Sequence, residues 1–210
     1  MVDSALAIVS AMEPVMHDVS TLQIHTAREE ERKAAAALTV AAYTQYAAVM
    51  PAQAWGFYRQ NMIDTVMNSK VAGGGAGALI HGSVESVGDH APEPFELIVA
   101  ERNGALVGSV LYTPSMGDAP NSAYFRLLAV APDARGQGIG KALTQECLRR
   151  ARAAGATSML LNTTDMMDVA QNMYVRMGFV RAPEFDFRVP VDTKSGADDE
   201  LIKGYRLDLS

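Results

Sequence analysis

Positions 135 to 141 read Arg-Gly-Gln-Gly-Ile-Gly-Lys, three glycines between two cations. Glycines at this spacing let the backbone turn several N–H groups toward one point, and a helix beginning there adds partial positive charge. The segment is therefore suited to hold an anion such as a pyrophosphate. Arg135 and Lys141 would add full charges. Two phosphate-binding patterns fail on residue identity. A P-loop needs Gly at 135 and Ser or Thr at 142, where Arg135 and Ala142 stand. A dinucleotide fingerprint read from Gly136 needs Gly at 141, which is Lys141. Other reactive types are scattered. His17, His25, His81 and His90 form no helical pair and have no cysteine nearby, so they predict no metal site. Cys147 has no histidine placed by sequence to activate it and reads as a buried thiol.

The elements that must position these residues follow from periodicity. Residues 21–26 (TLQIHT) read as a strand, and Arg28 opens a helical stretch in which Ala34, Ala37, Leu38, Ala41 and Ala48 share a face. Pro51 ends that helix and opens another, carrying Trp55, Tyr58, Met62, Ile63 and Val66. From Val71 to Pro94 the text is glycine-rich and aperiodic, a long loop that holds His81 and His90 and could line a substrate mouth. Residues 96–100 and 105–112 flank Arg102-Asn103-Gly104, the pattern of a hairpin. A strand over 124–130 leads through Pro132 and the glycine cluster into a helix with Ile139, Ala142, Leu143, Cys147 and Ala151 on its apolar face, stopped by Gly155. Arg149, Arg150 and Arg152 complement that helix's C-terminal dipole. Residues 159–161 form a buried strand. Met166, Ala170, Met173 and Met177 mark a last helix, stopped by Gly178, and 179–180 and 202–209 are closing strands around an acidic loop at Asp198-Asp199-Glu200. The order β-α-α-β-β-β-α-β-α-β-β is that of a mixed α/β sheet protein. Residues 1–20 read as an N-terminal arm and 21–210 as a single domain.

With that order in place, R-x-x-G-x-G, met by Arg135, Gly138 and Gly140, resembles the acetyl-coenzyme A loop of the GNAT N-acetyltransferase superfamily, and the chain looks closest to its bacterial members of unassigned substrate. The preceding Leu127-Leu128-Ala129-Val130-Ala131-Pro132 and the later Tyr174-Val175-Arg176-Met177-Gly178-Phe179 match the family's flanking elements. The resemblance implies a mostly antiparallel central sheet flanked by helices and acetyl-CoA as cosubstrate, with no metal. The backbone of Leu128, Ala129 and Val130 would pair with the pantetheine arm. The N–H groups of Gly136, Gln137, Gly138, Ile139, Gly140 and Lys141 would hold the pyrophosphate, with Arg135 beside them. Tyr174 would be the general acid for the leaving thiolate. The acceptor would be a primary amine of a small molecule, peptide or protein, bordered by Trp55, Phe57 and Tyr58, and relatives commonly pair as homodimers. Two departures stand out. The family's glutamate on the fourth strand is replaced by Tyr124 and Arg126, and its helical asparagine by Met167. The base is open among Glu96, Asp118, Glu184 and Asp186, and a non-catalytic acyl-CoA-binding or sensing module stays open as well.

Composition narrows the setting. The formal charge of −6 without a long basic stretch disfavours nucleic acid as a partner. A single cysteine cannot make an internal disulfide and fits a reducing, cytoplasmic environment. Asp3 stands where a signal peptide would be cationic. The uncharged run 34–58 is alanine-rich, polar in places and cut by Pro51, too weak in transfer energy for a membrane span.

Overall fold

In a computed structural model the chain is described over residues 21–72, 95–116, 119, 121–189 and 200–209. The N-terminal arm and most of the glycine-rich loop, with His17, His81 and His90, lie outside them. The elements are β1 (Gln23–Thr26), α1 (Arg32–Tyr43), α2 (Ala52–Met67), β2 (Glu96–Arg102), β3 (Ala105–Thr113), β4 (Ser122–Val130), α3 (Ile139–Ala153), β5 (Ser158–Thr163), α4 (Asp168–Arg176), β6 (Val180–Arg181), β7 (Phe187–Val189) and β8 (Glu200–Asp208). The sheet runs β1-β2-β3-β4-β5-β8-β6, with β7 also on β8. Among the described strands only β4 and β5 pair in parallel.

Local chemistry explains the β2–β3–β4 meander. Asn103 (φ 53°) and Gly104 (φ 75°) supply the two positive φ values that a two-residue hairpin turn requires. Leu97, Ile98, Val99 and Ala100 of β2 are all fully buried, because helices cover both faces of the sheet. Ile98 and Ala100 join Phe125, Ile139, Leu143 and Tyr174 in the layer under α3 and α4. Leu97 and Val99 join Leu38, Tyr43, Met62 and Val66 in the layer under α1 and α2. Each fully buried Leu, Ile or Phe contributes roughly 1.5–3 kcal/mol, so these two layers carry most of the stabilisation.

Several expectations are corrected. The buried face of α1 is Ala35, Leu38, Thr39, Ala42 and Tyr43, while Ala34, Ala37, Ala41 and Ala48 are exposed. A run of alanines carries no directional signal; the face is set by Leu38 and Tyr43 and by the buried Thr39–Ser109 hydroxyl pair (3.0 Å) that joins α1 to β3. Glu200 begins β8 instead of ending a loop, and β7 is a strand that periodicity did not show. Arg150 does more than complement a dipole: it bonds Glu146 (2.8 Å) on its own helix, and Glu96 (2.7 Å) and Thr26 (3.0 Å) on the sheet.

Around β8 the chain packs backbone to backbone. A Cβ on Gly204 would lie 2.7 Å from both the Ala182 carbonyl oxygen and Phe185 Cβ. Gly204→Ala is expected to cost ~1–3 kcal/mol, read as a lower denaturant midpoint. Gly56→Ala on α2, where nothing lies within 4 Å, is expected instead to stabilise by ~0.5–1 kcal/mol.

Candidate active site

The most unusual backbone in the sheet is at Leu127, whose φ of 51° places a branched side chain in the left-handed region. Such a conformation costs about 1–2 kcal/mol and persists only where surroundings impose it. Here it forms a bulge. Ala129 faces Ser109 and Arg126 faces Leu111, so two residues of β4 oppose one of β3. The bulge turns β4 away from β5, and their pairing ends after Ser122–Ser158, Ala123–Met159 and Tyr124–Leu160. From Phe125 to Val130 the β5-facing side of β4 has no described strand against it. The gap is a cavity of about 60 Å³ lined in part by Tyr43, Tyr46, Arg126, Leu128, Met167 and Tyr174. Leu128, Ala129 and Val130, expected to receive pantetheine, are the residues of β4 on that free edge.

The glycine loop lies at the same end of the sheet. Gly136 and Gly138 have φ of 75° and 78°, and nothing approaches within 4 Å of where their Cβ atoms would be. Gly138 is the N-cap of α3 and has no side-chain capping bond, so the first N–H groups of α3 are left for a ligand. A Cβ on Gly140 would lie 3.5 Å from Met173 Sδ of α4 and 3.7 Å from Val130 of β4, so the helix start packs closely beside the cleft. The loop cations divide. Arg135 donates to the Ala42 carbonyl (2.9 Å) and to Gln45 (3.1 Å), fastening the loop to the end of α1. Gln137 accepts from Arg102. Lys141 is exposed and rims, with Arg152 and Arg176, a surface recess of about 360 Å³ that offers positive charge outside the cleft.

Tyr174 stands on α4 against the cavity, packed on Phe125 and Phe179 with ring centroids 5.8 Å from each. Burial raises its phenol well above the ordinary value, with Cys147 and Tyr124 adding in the same direction, so it carries its proton across neutral pH. The packing and acid readings are compatible, since the ring contacts fix where the hydroxyl is.

None of the described base candidates faces the cleft. Glu96 pairs with Arg150 across the sheet, Glu184 is exposed, and Asp186 is held by Arg181 (2.8 Å) and the Gly204 N–H (2.7 Å). Asp118 lies outside the described residues. A further carboxylate is Glu200, which periodicity assigns to a loop. It is half-buried at the start of β8 and within electrostatic reach of Tyr58. Burial raises its carboxyl above the usual range; the Thr164 hydroxyl opposes this and Asp165 adds to it. A buried glutamate before a strand has no marker in sequence. Of the residues expected to border the acceptor, Tyr58 packs on Tyr43 and Trp55 on Tyr58, whereas Phe57 is exposed.

Cys147 is fully buried and its thiol is pushed up by desolvation, in keeping with an inert side chain. His25 meets Glu31 and Glu101, whose ligand atoms gather within 4.8 Å. Arg28 already bonds both carboxylates, so the charge that a metal ion would supply is present as a guanidinium. Among the described residues no helix is long and apolar enough to cross a membrane.

A sheet that parts beside a bulged strand, with an uncapped glycine-led helix at the gap, is the architecture of the N-acetyltransferase fold class. The ribosomal-protein-S18-alanine N-acetyltransferase from Escherichia coli superposes with a TM-score of 0.56 at 17% identity, over 90% of this chain and 95% of that one. A Salmonella typhimurium protein solved with its cofactor acetyl-CoA does so with a TM-score of 0.54 at 15% identity, over 91% and 95%. At these identities the likeness is one of fold. Residues 77–179 match the Acetyltransferase (GNAT) family. A mycothiol acetyltransferase of Cellulomonas flavigena is 36% identical over 96 residues, 42% of this chain and 28% of that protein. The chain spans 28% to 40% of the first curated relatives it matches.

The buried phenols make alkaline stability a test of the cleft and core. Tyr58 and Tyr112 are pushed up to about 12 by burial, and Tyr43, Tyr124 and Tyr174 are raised by the same cause. Below pH 10 these groups are protonated in both the folded and the unfolded chain; above it the unfolded chain ionises first. Their contribution is therefore complete below the ordinary value of 10.0 and is lost as pH rises toward 12. Phenolate absorbance and loss of far-UV circular dichroism are expected to rise together; tyrosines ionising in a native-like protein would contradict this.

Proposed function

We propose that the protein is an acetyl-CoA-dependent N-acetyltransferase that transfers acetyl directly to a primary amine. The observation that carries this reading is the free edge of β4 beside the uncapped start of α3: one long anionic ligand can add to the strand and end at the helix. Its residues fit that group. The backbone of Leu128, Ala129 and Val130 has no described strand on its β5-facing side, the loop from Gly136 to Lys141 presents N–H groups, and Lys141 adds charge. The solved structure with acetyl-CoA as cofactor has the same fold, which supports acetyl-CoA as cosubstrate. A cytoplasmic setting agrees with the single reduced, buried cysteine, and a homodimer is expected from the family resemblance.

Acetyl-CoA supplies an activated acyl thioester. The chain has four tasks around it. The bulge frees backbone from the ladder at Leu127–Leu128, so that an N–H there can polarise the thioester carbonyl. Binding donor and acceptor in one cleft removes the entropy of encounter. An alkyl ammonium near the usual 10.4 must lose a proton, which costs roughly 4–5 kcal/mol at pH 7. Arg126 lowers that cost by disfavouring a second cation beside it, and Glu200 takes the proton, directly or through water. Tyr174 delivers a proton to the departing thiolate and recovers one from solvent.

Coenzyme A and acetyl-CoA are expected to raise the melting temperature, whereas ATP and NAD are not. Thiol release should then follow addition of an amine; firm binding without amine-dependent release would make the protein an acyl-CoA-binding module, the reading favoured by the absence of a carboxylate at Tyr124 and Arg126. Tyr174→Phe is expected to lower kcat about 10²-fold with acetyl-CoA affinity nearly intact. Glu200→Gln should lower kcat/KM and abolish its fall at acidic pH, a limb lying above the ordinary carboxylate range because burial raises this group. An unchanged acidic limb in Glu200→Gln would remove Glu200 from the mechanism.

A further inference from the structure

The cleft holds a cation with no counter-ion among the described residues. Arg126 precedes the bulge by one residue, lines the cavity and is partly buried. Every other arginine that is partly or fully buried among the described residues is anchored: Arg32 to Glu29, Arg102 to Gln137, Arg150 to Glu146 and Glu96, Arg206 to Asp208. Arg126 has neither an ion pair nor a hydrogen bond to a described residue. Its guanidinium lies 5.8 Å from the centre of the Phe95 ring, which packs on Tyr124 at 6.0 Å. This aromatic floor orients a planar fork and leaves its N–H groups for something else. A half-buried guanidinium without an anion is unfavourable unless a ligand supplies one.

A charge of opposite sign stands half-buried at the start of β8, at Glu200. Tyr58, whose ring packs on Tyr43 at 5.9 Å, feels Arg126 on β4 and Glu200 on β8 in opposite senses. A zwitterion, with an anion for Arg126 and an ammonium for Glu200, would answer both charges. Arg126 adjoins the bulge and lines the cavity, so a molecule whose anion meets its guanidinium is held in the cleft beside the backbone freed at Leu127–Leu128.

We propose that Arg126 binds the carboxylate of the acceptor, and that the acceptor is a free amino acid or a close analogue. The inference rests on the transferase reading above. The carboxylate meets the guanidinium fork and the ammonium faces Glu200. After its proton passes to Glu200, the amine nitrogen bonds to the acetyl carbon, the carbon–sulfur bond breaks, and the thiolate takes a proton from Tyr174. An N-terminal residue of a peptide, whose carboxyl is an amide, leaves Arg126 unpaired and is a poor acceptor.

The test compares three forms of each acceptor in the thiol-release assay with acetyl-CoA: the free amino acid, its carboxamide, and the amine lacking the carboxyl group. The wild-type protein is expected to favour the free amino acid. Arg126→Met should reduce its preference, as a ratio of kcat/KM values, by about 30-fold or more, the loss of a charge-assisted bidentate contact. Arg126→Lys, which keeps the charge and loses the fork, should fall between. Retention of the acetyl-CoA-induced melting shift shows that each variant is folded. Equal use of the three forms by the wild-type protein, or an unchanged ratio in Arg126→Met, overturns the inference and leaves the transferase reading standing. Acetyl-CoA binding with no thiol release on any amine overturns both.

Discussion

One residue of β4 turned into the left-handed region decides what the molecule can hold. Leu127 cannot continue a regular ladder at a φ of 51°, so β4 leans away from β5 and opposes β3 with one residue too many. Without that bulge β4 and β5 would zip along their length, and there would be neither a cavity nor a free backbone edge. The strain of about 1–2 kcal/mol is small against the core that imposes it. Leu127 is buried under α1 and α2, and Ala129 follows it into the same layer. Tyr43 reaches from α1 toward the Leu128 carbonyl at 3.4 Å. The cleft is therefore open because the helices on one face hold the strand out of register.

Side chains keep the opening from collapsing. Phe125, Tyr174 and Phe179 meet edge to face with centroids 5.8–6.2 Å apart, each pair contributing roughly 0.5–1.5 kcal/mol beyond its burial, and they wedge α4 against the sheet. Charge acts as a fastener more than as a source of stability. Exposed pairs such as Arg149–Glu146 are screened by water and salt and add little. Arg150 is more consequential because one guanidinium spans a helix and two strands. Arg135 works in the same way, tying the phosphate-suited loop to the end of α1.

What the amino-acid order made legible was whatever is encoded locally. The Asn103-Gly104 hairpin, the glycine-led start of α3 and the helix stops before Gly155 and Gly178 depend on backbone preferences of single residues, and all stand where expected. Tyr174 was placed by its motif. Properties that depend on distant partners were not legible. The alanines of α1 gave no face because identical small side chains cannot distinguish inside from outside. Glu96 read as an available carboxylate because its partner lies 54 positions away in Arg150. Glu200 read as a loop acid because its place in the sheet is set by pairing with Val189 of β7, a strand too short to show in periodicity. Leu127 carried no signal at all: a leucine in an apolar strand predicts regular pairing.

The three register pairs between β4 and β5 also divide the sheet into two unequal leaves. One is the meander of β1 to β4, closed by neighbours in the chain; the other, β5 to β8, is assembled from pieces brought together over long stretches. Few backbone hydrogen bonds cross the spine, so the leaves communicate mainly through the packed rings and methionines beneath it. A strand-like ligand laid along the free edge of β4 would bind one leaf through its backbone and press on the other through its flanks. It would thereby become part of the architecture, setting the angle between the leaves.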